Sequence, residues 1–131
     1  SSIQAVMAQR LIRTLCDNCK QPDLEPDRKF LSILGISDRE LQGRTLMKPG
    51  GCGNCNGTGY RGRKGIFEMM TMNNEVRELA FKRAPSNVIR KAARASGMKT
   101  LLDDGKTKIL NGITTAAEIA RVTQAEGVVA D

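Results

Sequence analysis

Four cysteines are the residues in this sequence whose type and spacing could do chemistry, and they come as two Cys-x-x-Cys pairs, Cys16–Cys19 and Cys52–Cys55. That spacing lets two thiolates on one tight turn reach the same metal ion. Two such turns supply a closed tetrahedral all-sulfur site of the kind structural Zn²⁺ takes, with Zn–S near 2.3 Å. Gly50, Gly51, Gly53, Gly57 and Gly59 crowd the second pair, as sharp turns that aim backbone N–H groups at sulfur require. The metal ligands expected are therefore Cys16, Cys19, Cys52 and Cys55. Four sulfur ligands leave no open coordination position, so the zinc is structural and not catalytic. Two disulfides, or reduced cysteines in the core, are the other readings of the same residues. The first needs an oxidising compartment, of which the sequence carries no sign. A redox Cys-x-x-Cys of the thioredoxin type would need a βαβ pattern around it, and none is present.

Composition narrows the rest. The chain has 131 residues and no histidine, which removes Ser-His and Cys-His hydrolases and HExxH metalloproteases. No apolar run approaches the roughly 20 residues of a membrane span, and no leader pattern precedes the first pair. With 21 Lys and Arg against 14 Asp and Glu, the formal charge is +7. A zinc–tetrathiolate centre would lower this to about +5. Lys20, Arg61, Arg63 and Lys64 flank the cysteine turns and offset that negative centre. Arg61, Arg63 and Lys64 are also the candidate contact residues toward a partner, Arg63 by its planar fork for a carboxylate.

The elements that must hold these turns can be read in order. Ile3, Met7, Leu11 and Leu15 recur at every fourth position, which predicts an amphipathic helix over 3–15 running into Cys16, with a capping box at Ser1 and Gln4. The 32 residues between Cys19 and Cys52 exceed the gap of a compact zinc ribbon, so this insert needs structure of its own. Gln21–Pro26 reads as a loop, and Ser37 to Glu40 as a capping box opening a short helix. Residues 59–72 read as a short strand or a hairpin turning at Gly62 or Gly65. Beyond Asn74 the sequence predicts helices over 75–83, 87–96 (N-cap Ser86, Gly97 after its end) and 100–111. A last helix opens at a Thr115–Glu118 capping box, and residues 125–131 read as a frayed tail. The fold class is α+β, mainly α-helical: a small helical domain with a tetracysteine zinc-binding insert and one short strand or hairpin.

Three phrases go further: AQRLIRTLCDNCK (8–20), GCGNCNGTGYRGRKGIFEMM (51–70) and SGMKTLLDDGKTKILNGITTAAEIARVT (96–123). In this order they resemble the C-terminal end of the type II secretion and type IV pilus assembly ATPases, the GspE and PilB kind. The resemblance implies that 1–15 is the terminal helix of a preceding RecA-like ATPase core, 16–58 the tetracysteine zinc-binding subdomain, and 59–131 a strand plus a C-terminal helical subdomain. No GxxxxGK[ST] occurs, so ATP and Mg²⁺ belong to the full-length parent and this segment is not catalytic by itself. Its implied partners are its own RecA-like core, neighbouring subunits of a hexamer, and inner-membrane secretion or pilus platform proteins. Its implied place is the cytoplasm, peripheral to the bacterial inner membrane. Two alternatives stay beside this reading. One is a zinc-ribbon-type nucleic-acid-binding module, suggested by the charge but lacking aromatics among the basic residues. The other is a DnaJ-like zinc chaperone region, suggested by CGNCNGTG, of which the chain has a single copy.

Overall fold

The computed structural model describes residues 4–125. The architecture is α+β and mainly helical, built around one antiparallel ribbon. The ribbon pairs β1 (Ala5–Leu15) with β4 (Tyr60–Thr71). A second, two-residue ladder pairs β2 (Gln21–Pro22) with β3 (Met47–Lys48). Two helices lie inside the excursion between β2 and β3: α1 (Arg28–Leu34) and α2 (Asp38–Leu41). Four follow the ribbon: α3 (Asn74–Phe81), α4 (Ser86–Ala95), α5 (Leu101–Leu110) and α6 (Ala116–Ala125).

The helix expected over 3–15 is a strand from Ala5 to Leu15. The reason is arithmetical. A spacing of four fits one face of a helix, and it equally fits one face of a strand, whose period is two. In the strand, Met7 and Leu11 fall on the exposed face, while Ile12 on the other face is buried. The same misreading hid the partner of the second strand. Residues 60–71 do not fold back at Gly62 or Gly65; they run as one strand against β1, with Arg10 opposite Ile66 and Met7 opposite Met69. Gly62 (φ 83°) marks the irregularity where Arg13 pairs with Arg63 but Leu15 pairs with Tyr60, as a bulge does.

The helical half follows its caps. Ser37 and Glu40 form the expected capping box at α2, and Thr100 and Asp103 form another at α5. At α4 the N-cap position is Pro85, and Ser86 is the first helical residue without a side-chain cap. The expected box at Ser1 and the tail lie outside the described residues.

The core is shared across the sequence. Ile12 and Ile66 of the ribbon, Leu31 and Leu34 of α1, and Ile36 and Leu46 of the excursion pack with Leu101, Ile109, Ile119 and Val122 of α5 and α6. The expected boundary at 58/59 therefore cuts through one apolar cluster. Helix α5 approaches α6 through Gly105, where a Cβ would sit 2.8 Å from an Ile119 methyl. Helices α3 and α4 pair with each other, burying Val76 and Ala93, and are tied back through a bidentate Arg90–Glu68 contact to β4. No helix among the described residues is long and apolar enough to cross a membrane.

Candidate metal centre

The two ends of the ribbon differ. At one end β1 runs into Cys16, and β4 leaves from Gly59, whose carbonyl accepts the Cys16 N–H at 2.9 Å. The first turn closes by Cys19 N–H and Lys20 N–H donating to the Cys16 carbonyl. The β2–β3 ladder then brings the chain back, so the long excursion between the cysteine pairs is pinched shut next to the turns it separates. This is how a 32-residue gap serves a compact site.

The four Sγ atoms all lie within 4.8 Å of one another. Cys16 and Cys52 are 3.8 Å apart, Cys19 and Cys55 3.7 Å, and Cys52 and Cys55 3.8 Å. A disulfide needs about 2.05 Å, and all four cysteines are free. A tetrahedron with Zn–S of 2.3 Å has edges of about 3.8 Å. The donor set and its spacing fit a tetrahedral thiophilic cation, zinc above all.

Backbone and side-chain donors surround the sulfurs. Gly51 N–H donates to Cys19 Sγ and Gly59 N–H to Cys55 Sγ, both at 3.1 Å. Cys52 N–H reaches Cys55 Sγ at 3.3 Å, and Asn18 Nδ2 reaches Cys52 Sγ at 3.2 Å. Two glycines make the approach feasible. A Cβ on Gly50 would collide with the Cys19 carbonyl, and Gly59 holds φ 81° against the Pro49 ring. These contacts divide the thiols. Burial opposes ionisation of Cys55, yet the N–H groups of Cys52 and Gly59 and the neighbouring sulfurs bring it down to about 6. Asn18 leads in lowering Cys52. Gly51 pulls Cys19 the same way, but burial and the three other sulfurs outweigh it and push Cys19 up to about 11. Four sulfurs this close cannot all ionise without a cation among them, which is the charge logic of a metal site.

The basic residues expected around the turns do not form one cluster. Arg61 and Lys64 line a shallow basin with Lys20, Asp17 and Asn18 at the foot of the first turn. Lys20 is anchored there, with Nζ 3.0 Å from the Gly112 carbonyl and 3.3 Å from Asp17. Arg63 lies opposite Arg13 on the ribbon and is not among the basin residues.

A second polar centre, absent from the sequence reading, sits beside the first. The Glu118 side chain on α6 is fully buried. Its carboxylate accepts the backbone N–H of Arg13 at 2.8 Å, Nε and Nη2 of Arg13, and Nε and Nη2 of Arg121. Burial pushes its pKa up, but the two guanidinium groups and the Arg13 N–H win and hold it at about 2. The Arg13 guanidinium also stacks 4.3 Å from the Tyr60 ring centroid, and Tyr60 Oη meets Thr115 Oγ1 at 2.8 Å. Thr114 donates to the Arg13 carbonyl, and Leu15 N–H to the Ile113 carbonyl. The loop between α5 and α6 is thus sewn to the last residues of β1, one position from Cys16, the first of the four clustered cysteines. The sequence marks Glu118 as half of a capping box. Its N–H does take Thr115 Oγ1, but its carboxylate turns inward. The available signal was its place four residues before Val122, on the buried stripe of α6.

The sequence model of the family described as "Type II/IV secretion system protein" matches residues 1–121. Over 119 residues the chain is 41% identical to the type IV pilus assembly ATPase PilB of Thermus thermophilus, covering 91% of this chain and 13% of that protein. It is 39% identical over 126 residues to the type II secretion system protein E of Pseudomonas aeruginosa, covering 96% of this chain and 24% of that protein. To the type II secretion system ATPase E of Vibrio cholerae it is 38% identical over 124 residues, covering 95% and 24%. The chain spans about a quarter or less of these relatives. Both cysteine turns and the strands that carry them fall inside the matched region, and the chain belongs to the type II/IV secretion system protein family.

Proposed function

We propose that this chain is a C-terminal piece of a hexameric motor ATPase that powers type II secretion or type IV pilus assembly. In that motor it serves as a zinc-stapled interaction module. The observation that carries the reading is a family match across residues 1–121 that includes a four-sulfur cluster of tetrahedral dimensions. Cys16, Cys19, Cys52 and Cys55 would hold Zn²⁺, and the metal would contribute folding free energy and not reactivity. When bound, it neutralises the sulfurs and fixes both turns against the ribbon end.

The module has no nucleotide site of its own in this reading. Its nearest approach to a phosphate loop is Gly105-Lys106-Thr107. That run lies in the middle of α5, with Gly105 packed on Ile119 and Lys106 Nζ donating to the Gly35 carbonyl. Helical N–H groups bonded along a helix interior cannot cradle a phosphate. ATP and Mg²⁺ would be bound by the RecA-like core of the longer protein. Its place would be the cytoplasmic side of the inner membrane, where the motor meets its platform. Arg61 and Lys64, exposed and without an acidic partner within 4 Å among the described residues, are the side chains offered to a neighbouring subunit or platform domain.

The test compares the 131-residue chain with the longer protein. The longer protein is expected to hydrolyse ATP and the chain alone to give no turnover above background. Cys52→Ser in the longer protein should abolish secretion or piliation together with zinc content. ATP turnover by the isolated chain would contradict the reading.

A further inference from the structure

The positive charge of the chain is concentrated in one place. Residues 79–102 carry Lys82, Arg83, Arg90, Lys91, Arg94 and Lys99 and no Asp or Glu, a local charge of +6 in a chain whose net charge is +7. The stretch covers the end of α3, the turn after it and all of α4. No residue of either helix belongs to the main apolar cluster, so the pair stands off the core as a two-helix arm. At its tip Phe81 is 89% exposed and Val88 40%. The residues between them are exposed as well, Ala84 apart.

The backbone of the turn singles out Arg83. Ala84 N–H donates to the Leu79 carbonyl and Arg83 N–H to the Ala80 carbonyl, both at 3.0 Å, the paired bonds that end a helix on a left-handed residue. That residue is Arg83, at φ 56°. Helices α1, α4 and α5 close with the same outer bond, and there Gly35, Gly97 and Gly112 take the left-handed place, which glycine fills without a Cβ penalty. Helix α3 keeps a long cationic side chain where folding alone favours none. Neither Arg83 nor Lys91, which stands one turn above Asn87 on the exposed side of α4, has an acidic partner among the described residues. Arg90 and Arg94, by contrast, are held by Glu68 and Asp103. Lys82 meets only the exposed Glu78 at 3.0 Å, a pair of little worth in water.

We propose that the tip of the α3–α4 arm docks on an anionic lipid surface. Phe81 and Val88 enter the boundary between headgroups and acyl chains, and Lys82, Arg83 and Lys91 lie level with the phosphates. The inference rests on the motor reading above, which puts the protein against the inner membrane. Charge and shape choose the occupant. An exposed ring beside lysine and arginine is the chemistry of an interfacial anchor, and an acid-free basic stretch is drawn to anionic headgroups. No helix among the described residues is long and apolar enough to cross a membrane, so the arm lies on the surface. A folded acidic partner would seat the ring in a fitted pocket and pair the cations one by one. A ring on a protruding tip, among long unpaired cationic side chains, suits a fluid surface that closes around it. One such tip is a weak anchor, and its repetition around a hexamer multiplies the hold.

Co-sedimentation of the longer protein with vesicles tests this, using phosphatidylglycerol and phosphatidylethanolamine in equal parts against phosphatidylcholine alone. The protein should bind the first and not the second, and binding should weaken as salt screens the headgroups. Arg83→Gly should lower vesicle affinity about fivefold, while its thermal midpoint stays level or rises because glycine suits the left-handed place. Phe81→Ser should lower affinity on the order of tenfold with the fold intact. No binding to phosphatidylglycerol vesicles, or equal binding by native protein and both variants, overturns the inference, and with ATP still hydrolysed it leaves the motor reading standing. Variants that lose hexamer assembly while vesicle binding is unchanged assign the tip to a protein contact and also overturn it. A longer protein that hydrolyses no ATP overturns the motor reading, whatever its behaviour with lipid.

Discussion

Two polar centres close the same end of the β1–β4 ribbon, and they do so by different means. The sulfur centre joins Cys16 and Cys19 to Cys52 and Cys55 and pinches off the excursion that carries α1 and α2. The carboxylate centre joins Arg13 to Glu118 and Arg121 and holds the α5–α6 loop against the strand. The first gathers four groups that repel one another until a cation arrives. The second is complete within the protein: five donors converge on one carboxylate. In the proposed reading one part of the fold is thus conditional on metal, while its neighbour depends on ionisation of a single residue. They meet at Leu15 and Cys16, consecutive buried residues, so each centre braces the strand end that the other needs.

The largest expected effect comes from breaking the sulfur side. Cys52→Ser removes one ligand of four, and structural zinc binding supplies roughly 10 kcal/mol or more of folding free energy in small zinc domains. Residues 20–51 should become protease-sensitive. Because Leu31 and Leu34 sit in the core with Ile109 and Ile119, α5 and α6 should lose protection as well. Retention of native exchange rates in α5 and α6 would show the two centres to be independent.

Breaking the carboxylate side should cost less and leave the metal in place. Glu118→Ala removes the partner of two guanidinium groups and is expected to lower stability by about 3 kcal/mol, with zinc content unchanged. Loss of zinc in that variant would mean that the clasp, not the thiolates, positions Cys16.

The clasp also has a pH signature. Glu118 is held at about 2 in the folded protein, below its ordinary 4.5. A depressed carboxyl pKa contributes stability that is fully present above about pH 4.5 and is lost as pH falls toward 2. The stability gap between the native chain and Glu118→Gln should therefore be constant at neutral pH and shrink between pH 4.5 and 2, as seen in denaturant midpoints. A gap that does not change across that window would contradict an ionised Glu118.

The smallest stability effect belongs to Arg63→Ala. An exposed strand residue without an acidic partner among the described residues should change folding by less than about 0.5 kcal/mol and leave the metal bound, while reducing hexamer assembly of the longer protein. Zinc release by Arg63→Ala would instead place the residue in the support of the sulfur turns.

The contrast between the centres also explains what the amino-acid order revealed. The sulfur centre was readable because each pair is local, three residues apart, and glycine-rich turns announce themselves. The helix cap at Ser37 was readable for the same reason, whereas the box at Thr100 emerged only from the structure. The ribbon was not, because Met7 and Leu11 satisfy the helical and the strand period together, and their strand partner lies more than fifty residues away. The clasp was not, because Arg13 and Glu118 are 105 residues apart and a buried carboxylate looks like any polar helix residue until its partners are placed. Even the basic run 61–64 divided, since the irregularity at Gly62 breaks the alternation that would have kept Arg61 beside Arg63.

The metal itself is directly measurable. Elemental analysis of protein purified without chelators, paired with the charge-transfer spectrum of its Co²⁺-substituted form, tests it directly. The expected result is about one zinc per chain and a four-thiolate tetrahedral cobalt spectrum. Less than about a tenth of an equivalent of zinc, with the chain folded and its four thiols all free to titrate, would contradict it.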